Sequence, residues 1–111
     1  SVMASGDERL MACYQLGTDG SQVSLAAVVP GLVTELYAAS QAKEWNRTLA
    51  AHEKLYSLAV QIYRRAPQYL ATARLKALLK LQGRISSDRV KRPMRQLDSR
   101  EIEALRQVIP Q

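Results

Sequence analysis

The first third of this chain reads strand, helix, strand, helix, and that order narrows its possible folds more than any other feature. Ser1-Val2-Met3-Ala4-Ser5 is strand-like and breaks at Gly6-Asp7; a helix-period run follows; Gly17-Thr18-Asp19-Gly20 interrupts it; a second strand-like run extends from Ser21 to Val29. Nearly everything after Pro30 has helical spacing. Such alternation marks parallel strands joined by crossover helices. Two strands cannot make a parallel sheet covered on both faces. The sequence is therefore expected to be the last part of a larger α/β protein, with the segment itself mostly helical.

The chain has 111 residues, of which 47% are apolar, enough for a modest core and too many for a disordered segment. It holds no run of about 18 apolar residues and no charged-then-apolar leader, so neither a membrane span nor secretion is expected, and a soluble cytoplasmic protein is. The single cysteine, Cys13, falls inside the first helical run and reads as a small apolar side chain.

The net charge of +6 is concentrated late in the sequence: from Arg74 to Arg106 there are 10 basic residues against 4 acidic ones. Arg84, Arg89, Lys91, Arg92 and Arg95 straddle Gly83, a Ser86-Ser87-Asp88 turn and Pro93, which places them on a loop and two helix ends. No aromatic residue lies between Arg74 and Gln111 to stack on a base. Nucleic acid is not an expected partner; a solvated or intersubunit surface is.

Apolar spacing outlines the helices. Leu10, Ala12, Cys13 and Leu16 mark one face of a short helix ending at Gly17. Pro30 suits the first turn of the next, whose stripe is Val33, Leu36, Tyr37 and Ser40 and which ends near Lys43. A third helix is expected from Trp45-Asn46 to Arg65, with Leu55, Leu58, Ala59 and Ile62 inward, until Pro67 stops it. A fourth, from about Gln68 to Gln82, carries Leu70, Ala73, Ala77, Leu78 and Leu81. The last has the clearest start: Asp98 caps it, Glu101 reaches back, Leu97 and Ile102 form a hydrophobic staple, and Ile102, Leu105 and Ile109 face inward.

Ligands of parallel sheets meet the carboxyl ends of the strands. Ser5, Gly6 and Asp7 hold such a position. Gly6 lets backbone approach a ligand, and Asp7 either caps the following helix or offers its carboxylate to the site. In the second run Gln22 or Val23 points into a barrel interior, with Ala26-Ala27-Val28-Val29 as the loop beyond. Elsewhere the signals are structural. His52 stands beside Glu53 without a second histidine or a cysteine, so no metal site is expected. Tyr37, Tyr56, Tyr63 and Tyr69 suit half-buried packing positions, and Trp45 reads as a packing anchor. No Ser-His-Asp arrangement or phosphate loop can be assembled, and no cofactor is called for.

These residues resemble a known family. Gly6-Asp7, Leu16-Gly17-Thr18-Asp19-Gly20, then a strand and Pro30 before a helix, are similar to the seventh and eighth βα units of the dihydrodipicolinate synthase and N-acetylneuraminate lyase family. Lys76 followed by Gly83, Ile85-Ser86, and Val90-Lys91-Arg92-Pro93 leading to Leu97 resemble its C-terminal helical segment. The resemblance implies the last two strands of a (β/α)8 TIM barrel over 1–42 and a helical tail over 43–111. It further implies a Schiff-base lyase acting on pyruvate or a related 2-oxo acid and assembled as a homo-oligomer, dimer or tetramer. The Schiff-base lysine of the sixth strand and the tyrosine of the fifth would lie upstream of Ser1.

By the same resemblance Gly6 and Asp7 border the substrate entrance and Gln22 stands near the reactive lysine, so these three are the expected substrate-binding residues, with no catalytic residue in the segment. Two departures bear on the substrate. Gln22 replaces a usually aliphatic residue, and either reads a polar substrate group or marks a register offset by one; Ala27 replaces a familiar asparagine. Together they favour a sugar acid or another 2-oxo acid over the diaminopimelate-pathway substrate. The competing expectation is a complete small helical module that binds an acidic partner through Arg84 to Arg95.

Overall fold

The computed structural model describes residues 1–109, which form two compact units, one comprising residues 1–59 and the other beginning at Val60.

In the first unit, β1 (Met3–Ala4) pairs in parallel with β2 (Gly20–Ser21), Met3 opposite Gly20 and Ala4 opposite Ser21. The Asp19 N–H to the Val2 carbonyl (2.9 Å) and the Gln22 N–H to the Ala4 carbonyl (3.0 Å) continue the ladder at both ends. Side chains alternate across a strand, so the pair has two unlike faces. On one, Ala4 is buried and the Ser21 hydroxyl lies 2.6 Å from that of Tyr14. On the other, Met3 is 56% exposed with its thioether against Gly20, and Ser5 and Gln22 are exposed. One face is thus covered by helix and the other is bare.

Helix α1 (Leu10–Gln15) buries Leu10 and Tyr14, four residues apart, while Leu16 is 87% exposed, Ala12 is exposed and Cys13 is half-buried. The expected face is therefore rotated: with only six residues, the helix commits the Leu10/Tyr14 side to the sheet and turns out before Leu16. Gly17 (φ 93°) closes it, its N–H on the Tyr14 carbonyl and the next N–H on that of Cys13.

The second strand is shorter than the sequence indicates. It ends at Ser21, and Leu25–Val28 is a short helix, α2, rather than strand and loop. A strand would have buried Leu25 with Ala27; here Leu25 and Val28, three apart, are buried and Ala27 is exposed. Helix α3 (Pro30–Gln41) starts on its proline and buries Val33, Leu36, Ala39 and Ser40. It packs against α4 (Trp45–Ala59), which buries Thr48, Ala51, Leu55, Leu58 and Ala59. Arg47 joins them by donating to Glu35 and Glu44. Trp45, expected to anchor the junction, is 40% exposed.

The second unit opens with a π-helical turn (Val60–Arg64) that buries Ile62, then a 3-10 turn (Gln68–Leu70), α5 (Ala71–Leu81) and α6 (Ser99–Val108). Leu70, Ala73, Ala77 and Leu78 are buried as their spacing indicates while Leu81 is half-buried, and Arg74 is buried with them at 3% exposure. Pro67 has no N–H to give the π-spaced Ile62 carbonyl, five residues earlier. The Arg74 guanidinium donates there instead (2.8 Å) and to the Pro67 carbonyl (3.0 Å). Burial lowers the guanidinium pKa from its ordinary value.

Helix α6 has the expected reciprocal cap. The Glu101 N–H donates to Asp98 (2.8 Å) and the Asp98 N–H to Glu101 (2.8 Å). Leu105 is its buried residue, with Ile102 and Ile109 half-buried. Arg95 grips Glu101 through both oxygens (2.7 and 2.9 Å) and holds its pKa at about 2. In the loop between α5 and α6, Lys80 pairs with Asp88 at 3.1 Å, Lys76 donates to the Arg89 carbonyl, and the Gln96 side chain accepts the Val90 N–H (2.9 Å).

Candidate functional site

Gly6, Asp7 and Gln22 sit where β1 and β2 end. Gly6 adopts φ 91°, a left-handed conformation open to glycine, and its carbonyl accepts the Arg9 N–H at 2.9 Å. A Cβ there would stand 2.9 Å from the Arg9 Nη2 and 3.0 Å from its Nε, so any side chain would displace that guanidinium. The site thus includes an exposed cation, Arg9, with no motif in the sequence to announce it.

Asp7 does not cap α1. The N-cap of that helix is Arg9, which has no side-chain cap bond, and Asp7 is buried with Oδ2 accepting the N–H of Leu25 at 2.8 Å. Its carboxylate therefore ties the turn after β1 to the first residue of α2, at the end of a helix where a negative charge is favoured. The sequence offers a cap and a ligand as roles for Asp7, and the bond across 18 residues is a third. Periodicity reports local spacing and carries no information about such a partner.

Gln22 joins the same end through its backbone, bonded to Ala4, while its side chain is exposed on the bare face with Met3 and Ser5. In this chain its amide is solvated, so no buried-amide penalty arises. Below this face Tyr14 is fixed by Ser21 and by an edge-to-face contact with Tyr37, ring centroids 5.3 Å apart. Burial raises the Tyr14 phenol pKa, which keeps it a neutral structural hydroxyl. His52 lies mid-α4 beside Tyr56, and among the described residues no cluster of histidine, cysteine, aspartate or glutamate could hold a metal ion. No helix among them is long and apolar enough to cross a membrane.

A tied pair of parallel strand ends beneath a bare sheet face is a recurrent ligand-binding arrangement, and fold alone does not say for which ligand. The sequence profile of the dihydrodipicolinate synthetase family matches residues 1–111. The chain belongs to that family. Two solved structures share its fold. One is the dihydrodipicolinate synthase of the commensal bacterium Bacteroides thetaiotaomicron, with a TM-score of 0.85 and 24% identity over 97% of this chain. The other is a candidate dihydrodipicolinate synthetase from Pseudomonas aeruginosa, with a TM-score of 0.84 and 21% identity over 96%. The chain spans 36% and 35% of their respective lengths, so it matches a fragment of the family's barrel fold. No curated protein matches it.

Proposed function

We propose that this chain supplies the last two βα units and closing helices of a (β/α)8 barrel, part of a Schiff-base aldolase or lyase acting on pyruvate or a related 2-oxo acid. The carrying observation is the bare face of the β1–β2 pair, with Gly6, Asp7 and Gln22 at its carboxyl end. Further strands laid beside this pair would turn that face into a barrel interior and Gln22 into its wall. Family membership supports the reaction class.

In that reaction a lysine amine adds to the substrate's carbonyl carbon and water leaves, giving an imine that stabilises the neighbouring carbanion. Such a lysine must be desolvated. None of the five lysines here is buried, and Lys76 and Lys80 are occupied by Arg89 and Asp88. The nucleophile is therefore proposed to come from outside residues 1–111. Gly6 gives the substrate room, Asp7 fixes the α2 turn, and the Gln22 amide bonds a polar substrate group, which favours a hydroxylated 2-oxo acid. A cytoplasmic homo-oligomer accompanies this reading.

The competing module reading is weakened by the ion pair of Arg95 with Glu101, which neutralises one cation of the Arg84 to Arg95 stretch. Borohydride reduction with pyruvate separates the two. A full-length parent should gain the mass of a reduced pyruvyl adduct while residues 1–111 alone gain none. An adduct on the isolated segment, or none on the parent, refutes the assignment.

A further inference from the structure

A cavity of about 350 Å³ opens within the first unit between the carboxyl ends of α1 and α3, at the end of β2 from which Asp19 enters the strand. Its wall includes Gln15, Asp19, Gln41, Lys43 and Trp45. The volume suits a small ligand. Gln15, Gln41, Lys43 and Trp45 are exposed and their side chains make no hydrogen bond to another described residue, and the exposed Asp19 uses one carboxylate oxygen on the Val2 N–H. One cation, one indole N–H and two carboxamides are thus left open in a single concavity, beside a carboxylate with spare acceptor capacity.

Lys43 adds an independent observation. Among the described residues three helices end in the same paired-bond turn: α1 at Gly17 (φ 93°), α5 at Gly83 (φ 72°) and α3 at Lys43 (φ 57°). Two use glycine, for which a left-handed backbone is free of strain; the third, which lines the cavity, places a lysine there at a stability penalty.

We propose that this cavity binds a small hydroxylated monocarboxylate. Lys43 and Asp19 are the one cation and the one anion of the wall, so a ligand with one carboxylate at Lys43 and hydroxyl groups at Asp19 matches the lining. Hydroxyl groups supply donors to Asp19 and acceptors to the two carboxamides and the indole N–H, and carbon-bound hydrogens lie against the Trp45 ring.

Calorimetric titration with sodium gluconate tests this, with acetate and glucitol as arms carrying the charge alone and the hydroxyls alone. Trp45, the only tryptophan in the sequence, reports occupancy by its fluorescence. Gluconate should bind and shift that emission, each control binding about tenfold more weakly or worse. Lys43→Gln should weaken gluconate by about tenfold, the loss of one charged hydrogen bond, while Lys43→Arg restores most of the affinity. Lys43→Gly should melt at a higher temperature yet bind as poorly as Lys43→Gln, a combination that a purely structural lysine would not give. Absence of millimolar gluconate binding, equal binding of glucitol, or unchanged affinity in Lys43→Gln would overturn the proposal. None of these readouts depends on imine chemistry.

Discussion

Two carboxylates organise the two units in opposite ways. In the second unit Glu101 bonds its own helix start, accepting the Asp98 N–H three residues back, and takes Arg95 from six residues back. In the first, Asp7 is buried and reaches Leu25, eighteen residues on, to tie the turn after β1 to the start of α2. A local bond is encoded where it acts and needs little else to form. A long-range bond exists only once the sheet has brought its ends together, so it reports, and stabilises, tertiary structure.

If that contrast is sound, the largest losses should come from groups whose partners are remote and buried. Arg74→Met removes two charged hydrogen bonds and orphans the Ile62 carbonyl, while the Pro67 carbonyl keeps the Leu70 N–H, a destabilisation of about 3 kcal/mol. Urea unfolding would register it as a lower midpoint at constant m-value, and an unchanged midpoint would deny Arg74 its role. Asp7→Ala should cost about 2 kcal/mol by the same mechanism and selectively speed hydrogen exchange at the Leu25 amide. Uniform acceleration across the first unit would mean that the tie is not local to the α2 turn.

Local devices should matter less. Asp98→Ala is expected to cost about 1 kcal/mol and to fray α6 from its first turn, visible as lost amide protection at Glu101. The smallest effect concerns pH. The Arg95 hydrogen bonds depress Glu101 from 4.5 to about 2, so its contribution is fully present above about pH 4.5 and disappears as pH falls through about 2. Arg95→Ala should flatten that part of the acid titration of α6 stability; an unaltered profile would assign the acid dependence to another carboxylate.

Much of the helical layout was legible. The stripes Leu55-Leu58-Ala59-Ile62 and Leu70-Ala73-Ala77-Leu78 are buried as their spacing indicates, and the Asp98/Glu101 cap is present. The strand pair was legible in kind and overextended in length, because Leu25 to Val28 is a short apolar run that satisfies strand and helix patterns alike. The exposed Leu16, the buried Arg74 and the open Trp45 were not legible, since each depends on which side of an element finds a neighbour.

By itself, the sequence determined where α1 and α3 to α6 lie, how α6 begins and which glycines end α1 and α5, because those features are settled by spacing and backbone preference within a few residues. Only the tertiary structure decided that α2 is helix, that Asp7 serves Leu25, that Arg74 replaces the donor Pro67 lacks, and that one sheet face is bare. Each of these is a bond or a burial between residues distant along the chain, and a one-dimensional pattern does not contain that distance.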